Sequence, residues 1–493
     1  MRGLRSAAAL ALGTATMIGS LGCESAEMSA SVGTEPSPQI KSGQVAQAKT
    51  QVPPPVLAPK AEAQKTQGEL TTPSQRINTK NLTDVVKEEI KGGEAQEGPT
   101  PFDYLWMPTR PELIHDEPMS VTVPAGFQPI ATKVNVPIAN PITKGKYELG
   151  RQLYFDPRVS LDGTVSCATC HNPAHGWTDQ MPSSIGIDGQ TGSRSAPTVL
   201  NTVYGKSMFW DGRAPSLEGQ AQGPVQNPIE MGKQSYKQII ERLRKIPGYR
   251  DQFRKVFGSD VTLDAMAKAI ATFERVAAIS GDSKYDKYNG GDLNALNESE
   301  KRGMVLFGLS LTLDDEFRPG VARQKAKCTL CHTGFNFTDE QFHNLGIGWE
   351  PGKKEGEAGH FKDLGRWAVE PYGARYDGSI GAFKTPTIRD IANTGPYMHD
   401  GSLATLEEVV EHYDKGGTPN PYLDVDMKKL NLTKQEKADV VAFMKALTGQ
   451  TKKLEELLPT LPPGPDGKTV DPKAALTPPS KKVASVFHPM GAR

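Results

Sequence analysis

The sequence predicts a mainly α-helical protein made of two like halves, preceded by a stretch that cannot form a core. Three observations carry this. The motif Cys-x-x-Cys-His occurs at Cys167 to His171 and again at Cys328 to His332; an apolar-periodic helix stands before and after each copy; and no phenylalanine, tyrosine or tryptophan lies between Glu24 and Pro101. A chain of 493 residues has room for about two to three domains. Only 37% of it is hydrophobic, and it holds 39 prolines and 49 glycines, so part of it is not packed core.

Arg2 and Arg5 precede an apolar run from Ala7 to Gly22, the pattern of a secretory signal over residues 1–23. The run is shorter than the roughly 20 residues that a membrane-crossing helix needs, and no longer one exists, which excludes a multi-span membrane protein. Cys23 directly after Gly22 resembles the lipobox of bacterial lipoproteins, whose cysteine is acylated, although Leu21 sits one place nearer the cysteine than usual. Simple cleavage nearby is the other reading. Residues 24–101, rich in Ala, Gln, Lys, Glu, Ser, Thr and Pro, bury too little apolar area to offset their ordering entropy and read as a disordered tether. Within them, Leu82 to Ile90 forms a short helix or a transient turn. Order is expected from Phe102.

The first domain, 102–290, opens with a helix over Thr143 to Tyr154, with Leu149, Leu153 and Tyr154 around Gly150, and closes with one over Leu263 to Ile279. The second, 291–456, repeats this with Ser299 to Leu309 around Gly303 and with Thr433 to Leu447, where Thr433 and Glu436 form a capping box. Residues 457–493, rich in proline and lysine, are expected to be an arm lying on the surface or disordered.

The motif explains its own spacing. Two thiols add to the two vinyl groups of a haem, and the next histidine swings under the iron as proximal ligand. Cys167, Cys170 and His171 would hold one haem, and Cys328, Cys331 and His332 a second. A zinc site would need further ligands, and a thiol redox pair would not need a histidine after it in both copies. Two cytochrome c-like domains result, each with one covalently bound haem. The 57 basic and 57 acidic residues balance, and no basic run is interleaved with aromatics, so nucleic acid is not an expected partner.

From Leu149 to Gly449 the sequence resembles the bacterial di-haem cytochrome c peroxidase and MauG family. The resemblance rests on both haem motifs and on Ser195-Ala196-Pro197-Thr198, Phe209-Trp210-Asp211-Gly212-Arg213, Gln220-Ala221-Gln222-Gly223-Pro224, Asn227-Pro228-Ile229-Glu230-Met231 and Pro396-Tyr397-Met398-His399-Asp400-Gly401. It implies that the N-terminal haem reacts with hydrogen peroxide and that the C-terminal haem receives electrons from a small donor protein, a cytochrome c or a cupredoxin. Glu230 matches the distal glutamate that moves a proton between the peroxide oxygens, and Gln220 the distal glutamine that orients peroxide. Without that context, Glu230 reads as a helix N-terminal charge and Gln220 as a loop amide. Trp210 matches the tryptophan between the two haems, and as an interdomain core aromatic it needs no further role. A calcium ion is implied at the backbone carbonyls of Thr394 and Pro396, although Ser195 replaces the usual asparagine.

Two departures from the peroxidase pattern matter. Peroxidases that need reductive activation carry a histidine in a Ser-Ile-Gly-His context that blocks the first iron; here the stretch is Ser184-Ile185-Gly186-Ile187, and Ile187 cannot bind iron. His175 belongs to a loop turn. Tyr413 stands where the peroxidases place the methionine ligand of the second haem, as in MauG-type proteins, with Met398 as a rival ligand. The expected activity is therefore reduction of hydrogen peroxide to water without reductive activation, in the periplasm and from a lipid anchor. The alternative is a MauG-like oxidase whose high-valent state oxidises a partner protein. Ala326 counts against MauG's own protein-modifying activity, because MauG has a tryptophan there. A simple electron-transfer cytochrome is opposed by Gln220 with Glu230.

Overall fold

The computed structural model describes residues 109–130, 136–310, 324–354 and 357–479. The signal at 1–23 with Cys23, the tether at 24–101 and its short helix at Leu82 to Ile90 lie outside the described residues. All the elements named below belong to the unit from Glu94 to Arg493.

The first half is built on α1 (Lys144–Phe155), α2 (Leu217–Gln220), α3 (Tyr236–Arg244), α4 (Pro247–Phe257) and α5 (Leu263–Ala277). The second uses α6 (Lys284–Asn289), α7 (Glu298–Phe307), α8 (Leu406–Asp414) and α9 (Lys434–Lys445). In each half the first and last long helices cross at a glycine. A Cβ on Gly150 would overlap the Ala269 carbonyl oxygen, and one on Gly303 would overlap that of Asp439. The crossing therefore seats Tyr154, one turn beyond Gly150, against Phe273 with ring centroids 5.0 Å apart, and Phe307, one turn beyond Gly303, against Phe443 at 5.3 Å. These two pairs anchor the two cores.

The caps agree with the sequence. Thr433 and Glu436 form the box that starts α9, and Thr405 with Glu408 does the same for α8. Between α7 and α8 lie two ribbons that the helical periodicity does not reveal. β1 (Phe342–His343) pairs antiparallel with β4 (Phe383–Lys384), and β2 (Trp349–Glu350) with β3 (His360–Phe361), each strand two residues long.

Two boundaries differ from expectation. Tyr285 and Tyr288 pack in the second core, so α6 belongs with the second half although it precedes residue 291. The segment expected as a surface arm is, over its described residues 457–479, part of the first half. Leu457, Leu461 and Ala475 are buried, and the Thr169 hydroxyl, inside the first haem motif, donates to the Ala475 carbonyl. A proline-rich composition conceals a few apolar residues that fit a groove. Residues 480–493 lie outside the described ones.

The halves join by an exchange of like parts. A turn closed by a Met208–Ala214 bridge in the first half has its counterpart in the Tyr397–Leu403 bridge of the second. Each turn offers a carbonyl to the other half: Lys384 N–H donates to Trp210 O, and Ser195 N–H to His399 O, both at 2.8 Å. Beside them Arg389, 2% exposed on its side chain, makes a two-pronged bond to Asp286 and lies over Phe127.

Candidate functional site

The described residues include four free thiols, at Cys167, Cys170, Cys328 and Cys331, so neither motif is spent on a disulfide. In the second motif His332 Nδ1 lies 3.1 Å from the Phe337 carbonyl. That bond places the proton on Nδ1 and leaves Nε2 as the basic atom. Burial lowers the pKa of His332, which keeps the ring neutral as a ligand must be. Cys328, Cys331 and His332 line one cavity together with Pro386, Tyr413, Met398 and Trp210. In the first motif the buried Nδ1 of His171 makes no hydrogen bond of good geometry, while the Trp177 and Pro197 carbonyls face the ring. Both donor sets fit a haem c: two thiols and an imidazole whose pKa is lowered, with a backbone carbonyl beside the ring that bonds it at His332. We expect two covalently bound haems, read by intact mass and a pyridine haemochrome spectrum; a mass showing one haem or none refutes the assignment.

The segment before α3 carries Glu230. Asn227 Nδ2 donates to its Oε1 at 2.7 Å, which leaves Oε2 free. Burial pushes the carboxyl above its usual range, while Arg213 and Asn227 pull it back. The carboxyl lies near enough to the first motif to add to the upward shift of the Cys167 and Cys170 thiols, which burial dominates. Gln220 ends α2, and its side-chain amide has no hydrogen-bond partner among the described residues. The Ile187 loop is tied to the same segment: Ile187 N–H donates to the Glu230 carbonyl at 3.0 Å, and a Cβ on Gly186 would overlap the Ile229 oxygen. Ile187 itself is 4% exposed and packs with Leu161 over Gly232. His175 is exposed and sits in a turn, as expected.

Tyr413 and Met398 both line the second cavity, so the two rival ligands remain in reach of one site. The Tyr413 phenol is pushed up by burial and then by the Cys331 and Cys328 sulfurs, with which it lines the cavity. Trp210 lies between the halves, with its Nε1 donating to Ser195 O at 2.8 Å and its own carbonyl held by Lys384. Thr394, Pro396 and Ser195 line the same cavity, and the Ser195 hydroxyl donates to the Met181 carbonyl at 3.2 Å. Ala326 is 6% exposed, in the second core.

One group has no counterpart among the residues expected from sequence. His343 stands between Asp424, 2.6 Å from Nδ1, and Asp339, 2.9 Å from Nε2. The Cys331 thiol and these carboxylates push its pKa up to about 10. Cys331, Asp339 and His343 have the spacing of a metal site, but both imidazole nitrogens are engaged and the thiol belongs to the haem motif. The partners come together only through β1 and the loop after α8, with no local sequence signal.

The chain is similar to several known proteins. Residues 144–294 match the family model described as di-haem cytochrome c peroxidase. The methylamine utilization protein MauG of Methylorubrum extorquens is 40% identical over 331 residues, covering 66% of this chain and 84% of that protein. The cytochrome c551 peroxidase of Nitrosomonas europaea is 39% identical over 318 residues, covering 64% of this chain and 83% of that protein. A solved MauG-like protein associated with microbial copper homeostasis is 31% identical, with a TM-score of 0.54, covering 66% of this chain and 95% of that one.

Proposed function

The chain belongs to the di-haem cytochrome c peroxidase and MauG family of oxidoreductases, and from that membership we propose that it reduces hydrogen peroxide to water with electrons from a small redox protein, without reductive activation. The observation that carries the last part is Ile187, a buried aliphatic side chain where a capping histidine would otherwise reach the first iron.

The haem at His171, when bound, supplies the iron at which the O–O bond is split. The chain supplies the proton path. Glu230, held at Oε1 by Asn227, takes a proton from the near peroxide oxygen on Oε2 and returns it to the leaving oxygen. Gln220, with its amide free, orients the peroxide. Trp210, bridging the halves, lies on the route between the two sites. His332 and Tyr413 would hold the second haem, with Met398 as the rival to Tyr413. A phenolate ligand favours oxidised iron, and this supports the second reading, a MauG-like oxidase that acts on a partner protein. A calcium ion at Thr394 and Pro396 is part of the proposal, as are a periplasmic location and an N-terminal lipid anchor; among the described residues no helix is long and apolar enough to cross a membrane.

The test is stoichiometric peroxide added to the fully oxidised protein. We expect a ferric spectrum with one high-spin haem that changes at once. A wholly low-spin spectrum, unreactive until one electron is added, would mean that another residue caps the first iron. A peroxide-oxidised state that persists in the presence of reduced cytochrome c would favour the partner-oxidising reading instead.

A further inference from the structure

The two halves are built from like parts, and that lets several buried residues near the first motif be compared with counterparts near the second. The glycine crossings align Gly150 with Gly303 and Phe273 with Phe443, each phenylalanine Cβ lying 2.9 Å from where a glycine Cβ would stand. One turn beyond each glycine come Tyr154 and Phe307. The backbone carbonyl beside the motif histidine belongs to Trp177 in the first half and to Phe337, which bonds the ring, in the second. Next to Phe273 and Phe443 come Glu274 and Met444. The second half thus carries Phe307, Phe337 and Met444, none with a polar hydrogen, where the first carries Tyr154, Trp177 and Glu274.

These substitutions are costly for a core. Trp177 and Tyr154 are 0% exposed, and neither the Trp177 Nε1 nor the Glu274 Oε2 has a hydrogen-bond partner among the described residues. A buried N–H left unbonded is destabilising, and a phenylalanine at that place would avoid it. The Tyr154 ring lies 5.7 Å from that of Trp177, at 61°, and its hydroxyl donates to the His171 carbonyl at 2.9 Å. Both rings therefore stand behind the proximal ligand of the first site. What tryptophan and tyrosine offer there, and phenylalanine does not, is ease of one-electron oxidation.

We propose that Trp177, backed by Tyr154, is a second oxidisable group behind the first haem site, giving up an electron when peroxide has oxidised that site and no donor has arrived. The proposal rests on the reading of the His171 site as the one that meets peroxide. Hydrogen peroxide is the oxidant, and takes two electrons and two protons in becoming two waters. One of the electrons comes from the Trp177 indole by way of the first haem site, and the other would come from the ferric iron held there by His171. The two protons come from solvent by way of Glu230. The indole keeps its N–H proton and carries the positive charge as a radical cation, so the core loses one electron and no proton. Trp177 is distinct from Trp210: it lies behind the first site, inside the first core, and not between the halves.

The experiment mixes the oxidised full-length di-haem protein with stoichiometric peroxide without donor, freezes it within a second, and reads electron paramagnetic resonance. Wild-type protein is made with ordinary and with ring-deuterated tryptophan, and Trp177→Phe and Trp210→Phe are compared. A radical signal that narrows on deuteration, persists in Trp210→Phe and falls at least tenfold in Trp177→Phe is the expected result. A signal of unchanged amplitude in Trp177→Phe, or one indifferent to tryptophan deuteration, overturns the proposal. The isotopic comparison uses wild-type protein and decides the matter even if the variant loses haem. Absence of any peroxide response in the wild-type haem absorption overturns the peroxide reading and this proposal together, whereas a response without a tryptophan radical overturns this proposal alone.

Discussion

Replacing Glu230 with glutamine slows peroxide cleavage by about 100-fold or more while both haems remain attached. General acid-base groups contribute about 10²–10⁴-fold, and glutamine can accept the Asn227 hydrogen bond but cannot take a proton from peroxide. Stopped-flow measurement of the first haem's response at several peroxide concentrations checks it. Near-normal rates would remove Glu230 from the mechanism. The pH dependence comes from its environment. Because burial raises this carboxyl above 4.5, the ionised form that acts as base is lost as pH falls through that raised value, sooner than for an exposed glutamate. The wild-type rate therefore declines on acidification from a pH above the usual carboxylate range, and the decline is absent in Glu230→Gln. A profile shared by both proteins would assign the titration to another group.

Gly150→Val has the other large expected effect. Overpacking a filled core costs about 1–3 kcal/mol and occasionally more, and here the obstacle is the Ala269 carbonyl, a backbone atom inside α5 that cannot rotate aside. We expect a loss of at least about 3 kcal/mol, enough to remove the cooperative melting of the first half and its haem while the second motif keeps its own. Differential scanning calorimetry with haem content per chain reads this. A variant that melts like the wild type would mean that the helices cross at a greater distance than the geometry requires.

The helices were legible because burial imposes a period on them. Leu149, Leu153 and Tyr154, and the box of Thr433 with Glu436, mark α1 and α9 within a residue or two of their observed limits. The haem motifs were legible because covalent attachment fixes their spacing. What stayed hidden depends on contacts between residues far apart in the chain. The His343 clamp needs Asp424, which arrives from beyond α8, and strands of two residues are too short for any alternation to show. The burial of Ala475 against the first motif was masked by the proline-rich composition around it. Glu274 lies inside an apolar-periodic helix, and nothing local in the sequence says that its Oε2 lacks a hydrogen-bond partner among the described residues.

The reciprocal backbone bonds from Lys384 to Trp210 and from Ser195 to His399 have the exchange pattern of a self-complementary dimer contact, here within a single chain. In a true dimer such a contact dissolves on dilution. Covalent continuity between the halves replaces bulk concentration with an effective one of about millimolar order for short flexible connections. The contact at Trp210 is therefore kept closed at any abundance of the protein, and the separation between the two motifs becomes a fixed property of the fold, independent of an association equilibrium.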